Sequence, residues 1–360
     1  MKCGVITDED WRDHWGQLSC TKLKRLKMNI LRPRVCLLLL TLLSAYTPVQ
    51  AEPGSDIAPK IEIKPFWNLR YSQVAELQTG NAGLSDLYVP LLAGDEVIER
   101  TAPTENDSDK TQQPLAPIKL KGPLRPAVVV VHGGGWLAGD KWGLGTHCEK
   151  LAQLGICVLN INYRLAPYAK FPAQVDDVRE AILYLSDHAE ELCIDRTRIG
   201  LFGYSAGGHL SALVGVMTDE TTETQASASA WPLDDSRWSR MPRIAAVCAG
   251  GPPCDLRVLP IDSEALSFFL NGTRRQIPEI YTAASPTAHV SAGDPPMQLI
   301  HGAKDLIVPI ESSQQFAAAL EGVGVAVALT VIENQGHLVT FMHPTTLTQV
   351  SKFFSETLLK

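Results

Sequence analysis

The stretch Ile199-Gly200-Leu201-Phe202-Gly203-Tyr204-Ser205-Ala206-Gly207 carries the chain from an apolar run into the helix-like segment 208–217. It reads as a strand, a sharp turn and a helix, with Ser205 at the turn between two glycines. Residues without a Cβ let strand and helix approach closely, which can hold the serine hydroxyl exposed at the end of a sheet. Gly-x-Ser-x-Gly is frequent enough by chance that Ser205 counts for little until partners are found elsewhere in the chain.

The surroundings repeat the same grammar. Ala127 to Val131 is a near-continuous β-branched run, as expected of a strand buried on both faces of a parallel sheet. A helical pattern follows through Cys148, Leu151 and Leu154, then a strand from Ile156 to Tyr163, then helical spacing from Val175 to Leu192. After Ser205, Ile244 to Ala249, Met297 to Ile300 and Val325 to Ile332 continue the series. Alternation of this kind predicts one α/β domain over 52–360, a mostly parallel, doubly wound sheet of about eight strands with helices on both faces. Upstream, 52–66 reads as an extended leader, and Leu69–Leu77 and Gly83–Val89 as two short antiparallel strands around a turn at Thr79-Gly80-Asn81. Residues 92–124 read as a surface loop containing an Asn106-Asp107-Ser108 sequon, and 218–241 and 255–296 as insertions that could cap the sheet.

The first 51 residues differ from the rest. From Met28, the expected start, Arg32 and Arg34 precede an apolar run from Val35 to Tyr46, and Val49-Gln50-Ala51 offers small-residue cleavage. A run of about 12 residues is too short for a bilayer of ~30 Å, so a cleaved secretory signal is expected over an uncleaved anchor. The mature chain is then expected to be periplasmic or secreted, without an integral span. The net charge of −7 and the absence of a basic run in the body exclude nucleic acid and anionic membranes as natural partners. Beyond residue 51 five cysteines remain, so at least one is unpaired within a monomer. Cys148, Cys157 and Cys193 read as buried thiols, while Cys248 and Cys254 flank a Gly-Gly-Pro-Pro turn where a bridge is the alternative. No Cys/His spacing suggests zinc.

A serine hydroxyl is a weak nucleophile and needs a base and a group that orients the base. Asp305 follows the strand at 297–300, and His337 lies in a turn beyond the strand ending at Ile332. Both fall where α/β sheets gather their sites. The order Ser205, Asp305, His337 is that of an α/β-hydrolase triad. His132-Gly133-Gly134-Gly135 can converge backbone N–H groups on a developing oxyanion, and the Ala206 N–H adds a donor at a helix N-terminus.

His132-Gly133-Gly134-Gly135-Trp136, Asn162-Tyr163-Arg164-Leu165-Ala166-Pro167 with Phe171-Pro172-Ala173, the turn at 203–207, and His301-Gly302 to Asp305 together resemble α/β-hydrolase esterases of the hormone-sensitive-lipase type. Within that type the similarity is to the bacterial acetyl-xylan and feruloyl esterase-like branch, from about residue 69 to the C-terminus. The resemblance implies a triad of Ser205, Asp305 and His337, an oxyanion hole from Gly134, Gly135 and Ala206, and hydrolysis of carboxylic esters, short-chain or carbohydrate-linked, without a metal or organic cofactor. Tyr168 departs from the acidic residue that many relatives carry after Ala-Pro.

The other polar residues near these motifs have plainer readings. The resemblance makes His132 a structural hydrogen-bonding residue; His209 is expected to pack on the helix after Ser205 or to line the pocket, and His301 to pack at a strand end. His343 is the alternative base, Asp255 the alternative orienting acid, and Glu333 is expected to face solvent. Arg164 with Asp176 or Asp177 reads as an ion pair holding strand to helix. Trp136 and Tyr204 are candidates for the pocket wall. An amidase, arylformamidase or peptidase could use the same triad, and a binding protein could use the same scaffold. The natural ester and the oligomeric state are left open.

Overall fold

Residues 125–131, Arg-Pro-Ala-Val-Val-Val-Val, are buried along their whole length. Their side chains divide by the two-residue period of a strand: Ala127, Val129 and Val131 enter one apolar cluster, and Val128 and Val130 enter the other. Covering both faces is what turns this run into the middle of a sheet. The computed structural model describes residues 61–98, 116–259 and 263–360. The start at Met28, the apolar run, the cleavage site at 49–51 and Asn106 lie outside the described residues.

The described residues belong to one compact unit, Ala58–Lys360. Its strands are β1 (Glu62–Arg70), β2 (Leu84–Leu91), β3 (Glu96–Ile98), β4 (Lys119–Lys121), β5 (Arg125–Val131), β6 (Cys157–Ile161), β7 (Ile194–Tyr204), β8 (Ala246–Gly250), β9 (Met297–Gly302) and β10 (Val327–Ile332). Eight form one sheet in the order β1-β2-β6-β5-β7-β8-β9-β10. β1 and β2 run antiparallel to their neighbours, and β6 through β10 pair in parallel. The helices are α1 (Gly145–Ala152), α2 (Ala173–Asp187), α3 (Ala189–Leu192), α4 (Ala206–Met217), α5 (Thr222–Ala226), α6 (Glu264–Leu270), α7 (Pro278–Ala283), α8 (Glu311–Gly322), α9 (His337–Met342) and α10 (Pro344–Leu358). α2 and α4 contribute to the cluster on one face, and α1 and α10 to the cluster on the other. This is the expected doubly wound architecture. Among the described residues, no helix is long and apolar enough to cross a membrane.

Three expectations need correction. The first strand lies at 62–70, not 69–77, because an edge strand paired only with β2 needs no continuous apolar run; 75–77 is a 3-10 turn. Within 92–124, the described residues include β3 and β4, which pair as an antiparallel ribbon. There Asp95 accepts from the Leu92 N–H and pairs with the fully buried Arg125 at 2.6 Å. The 218–241 insertion lies along α2 and does not cap the sheet: Ser229 and the Ala230 N–H bond Asp176, Arg237 pairs with Glu180, and Arg240 with Asp187. All five cysteines in the described residues are free and buried, Cys248 and Cys254 included.

Arg164 pairs with Asp177, not Asp176. The buried Asp177 carboxylate accepts from the Arg164 backbone N–H at 2.7 Å and from its Nε and guanidinium at 2.9 and 2.7 Å. It thereby holds the loop after β6 against the N-terminal half of α2. Asp177→Ala leaves the Arg164 charge and N–H without their acceptor, and is expected to destabilise the fold by about 3–5 kcal/mol in urea denaturation.

Candidate active site

β7 ends at Tyr204 and α4 begins at Ala206, so Ser205 makes the whole turn. Its backbone stands at φ 56° and ψ −120°, a conformation that costs a non-glycine residue ~1–3 kcal/mol and persists only when surrounding bonds impose it. Those bonds are present: the Ser205 N–H donates to the Gly250 carbonyl at 2.7 Å, and the His209 N–H donates to the Ser205 carbonyl at 2.9 Å. Gly207 is required by close approach. A Cβ there would lie 2.0 Å from the Val131 carbonyl oxygen and 2.5 Å from that of His132.

The loop after β5 therefore begins in contact with the turn that carries Ser205. A Cβ on Gly133 would stand 2.8 Å from the Tyr204 oxygen and 3.2 Å from the Ser205 Cβ. Within the loop, the Gly134 carbonyl accepts from the Leu137 and Ala138 N–H groups at 3.2 and 3.1 Å. The His132 Nδ1 donates to the Gly133 carbonyl at 2.7 Å, and its ring stacks on Tyr163 at 4.2 Å. Burial lowers its pKa, so it is a neutral bracing group, as expected. Trp136 is buried, stacks on Phe269 of α6 at 4.3 Å, and donates from Nε1 to the His209 Nδ1 at 3.2 Å. With Nδ1 accepting, His209 donates from Nε2 to the Ala284 carbonyl at 2.7 Å. Its burial pushes the imidazole down to about 4. His209 thus ties the glycine loop, α4 and the 255–296 segment together.

Asp305 and His337 meet across 32 residues: the His337 Nδ1 stands 2.5 Å from the Asp305 Oδ2. Oδ1 accepts from the Ile307 and Val308 N–H groups, each at 2.9 Å. His301 stands behind Oδ2 at 3.4 Å. Its Nε2 donates to the Val308 carbonyl at 2.9 Å, and its Nδ1 bonds the Ser313 hydroxyl at 2.7 Å. Burial pushes the Asp305 carboxyl up, but the bonds from His301, His337 and the Val308 N–H outweigh it and hold the group well below the usual carboxylate range. The His337 carbonyl accepts from the Tyr204 hydroxyl at 2.6 Å. Its Nε2 is buried and without a hydrogen-bond partner among the described residues. The imidazole is held from one side, leaving the other nitrogen disengaged.

The alternatives lie elsewhere. His343 caps α10, accepting from the Thr345 N–H. Asp255 is occupied by Arg257 at 2.7 Å, and Glu333 is exposed. Tyr204 and Trp136 are both buried, Tyr204 bonding the His337 backbone and Trp136 the His209 ring. His301 was legible only as a packing residue, because nothing in its spacing tells that its ring reaches the carboxylate four residues on. Tyr204 is a candidate by its position beside Ser205, but its bond to the His337 backbone has no local signal. Among the described residues, no group of three or more His, Cys, Asp or Glu side chains could hold a metal ion.

Two consequences can be measured. Gly207→Ala should lower thermal stability far more than Gly135→Ala, because a Cβ at 135 meets nothing within 4 Å and adds only the strain of φ 61°. Asp305 has a folded pKa below its ordinary 3.8, so its contribution to stability is complete above that value and lost as the pH falls below it. The stability gap between wild type and Asp305→Asn should hold steady from about pH 5 to 8 and close below about pH 4.

Residues 115–320 match the BD-FAE family. Esterase LipC of Mycobacterium tuberculosis is 30% identical over 203 residues, 55% of this chain and 49% of that one. Carboxylesterase NlhH of the same organism is 32% identical over 173 residues, 46% of this chain and 53% of that one. The chain spans about half the length of these curated relatives. A truncated carbohydrate esterase from gut microbiota shares the fold with a TM-score of 0.65 at 23% identity, over 84% of this chain and 99% of that one. The propionate-bound esterase Est2 of Thermogutta terrifontis aligns with a TM-score of 0.57 at 26% identity, over 83% and 94%. With an α/β sheet that presents these motifs and more than half of the sequence matched, the chain belongs to the BD-FAE family.

Proposed function

We propose that this protein hydrolyses carboxylic esters through an acyl-enzyme on Ser205. The observation that carries it is the Asp305–His337 bond of 2.5 Å, which holds the imidazole by Nδ1 and leaves its Nε2 without a hydrogen-bond partner among the described residues. Ser205 Oγ attacks the ester carbonyl as His337 Nε2 takes its proton. The N–H groups of Gly134, Gly135 and Ala206 receive the oxyanion, each such donor being worth about 3 kcal/mol in the transition state. His337 returns the proton to the departing alcohol, then takes one from the water that releases the acid. Asp305 keeps Nδ1 protonated and stabilises the imidazolium. The ionised carboxylate that this requires is favoured by the four donors around Asp305. The names of the matched relatives, esterase and carboxylesterase, support the same class of bond. The composition of residues 28–51 supports export of the enzyme.

Purified wild type should hydrolyse p-nitrophenyl acetate and be labelled covalently by a fluorophosphonate. Ser205→Ala should abolish both, and Asp305→Asn should lower kcat by about four orders of magnitude while leaving the fold intact at neutral pH. Retention of the wild-type rate by Ser205→Ala refutes the mechanism.

A further inference from the structure

The segments that carry Asp305 and His337 turn their polar groups inward. In 305–308 the backbone N–H groups of Ile307 and Val308 close on the Asp305 carboxylate, while the Leu306 and Ile307 side chains are 96% and 65% exposed. In α9, His337 and Thr340 are buried, while Leu338, Val339 and Met342 are 55%, 52% and 73% exposed. The two segments adjoin, since the Lys304 N–H donates to the Gln335 carbonyl at 2.9 Å and Asp305 bonds His337. Single exposed apolar side chains are ordinary on a soluble protein. Five on the two adjoining segments that carry Asp305 and His337 are more than scatter, and exposed apolar side chains on segments that hold catalytic groups point to what those groups receive.

The chemistry decides which half of an ester lies there. His337 Nε2 must stand within hydrogen-bond reach of the leaving oxygen to protonate it, whereas the carbonyl oxygen is drawn to the glycine loop and Ala206. The alcohol half therefore departs on the histidine side, across the segments that hold His337 in place. Residues 306–309 and 338–342 offer that half one polar side chain, Thr340, and it is buried. Resting on the ester hydrolysis proposed above, we infer that the enzyme takes esters whose alcohol is apolar, and that Leu306, Ile307, Leu338, Val339 and Met342 form the surface that receives it. A sugar on this side would lose hydration at its hydroxyls without gaining hydrogen bonds in exchange.

The test varies the alcohol alone. Ethyl, butyl and hexyl acetate, kept in true solution, have leaving groups of nearly equal basicity, so a trend in kcat/KM reports contact with the chain. Wild type should gain about two- to three-fold for each added methylene, less than full burial would supply because the surface is open. Leu306→Ser with Leu338→Ser, both at exposed positions that tolerate substitution, should flatten the series when each protein is referred to its own rate on ethyl acetate. An O-acetylated xyloside should be a poorer substrate than hexyl acetate. The inference is overturned by a wild type that cleaves ethyl acetate with no rise toward hexyl acetate, by an equal rise in the double variant, or by preference for the acetylated xyloside. A wild type that cleaves none of these esters and takes no fluorophosphonate overturns the ester hydrolase proposal itself.

Discussion

Gly207 lies against the carbonyl oxygens of Val131 and His132, so close that a methyl group there would overlap both. That contact brings the first turn of α4 down onto the end of β5 and sets the spacing between Ser205 and the glycine loop. β5 is anchored by burial on both faces, and α4 has all twelve of its residues buried. Neither can shift to relieve a misfit, so the strain at Ser205 is imposed by two rigid elements meeting at a glycine. Function placed on such a junction inherits its precision.

Asp305 and His337 are arranged by a different principle. They sit at the ends of β9 and β10, next to each other in the sheet, and parallel register brings successive loops to one edge. What holds the pair is a set of donors around one carboxylate, including His301 from inside β9. Burial alone would favour the neutral acid, and the donors reverse that preference. His132, His209 and His301 are buried as well, and each bonds a backbone carbonyl. Among the described residues, the Nε2 of His337 has no such bond. Histidine serves as hydrogen-bonded scaffold at three places and at the fourth presents a disengaged nitrogen.

The two insertions divide their tasks. The 218–241 segment packs along α2 through ion pairs and the Arg237–Trp231 contact, and so belongs to the support of the sheet. The 255–296 segment supplies Phe269 and the Ala284 carbonyl to Trp136 and His209, and so braces the glycine loop from outside.

The sequence by itself determined the sheet, the strand-turn-helix at Ser205 and the order of the three candidate residues, because these rest on local periodicity and on sterics within a few residues. Ala127 to Val131 fits a strand buried on both faces, and Gly203 and Gly207 fit a tight turn once the strands around them alternate with helices. It missed the edge strand 62–70, whose mixed exposure carries no periodic signal, and it could not choose between Asp176 and Asp177, neighbours on one helix. The tertiary structure decided what depends on long-range approach: His301 behind Asp305, the Tyr204 hydroxyl on the His337 backbone, and His209 between loop and insertion. It also decided that the apolar residues after Asp305 and His337 face outward. Spacing cannot report that, because a short apolar run beside a catalytic motif reads as core until its neighbours in space are known.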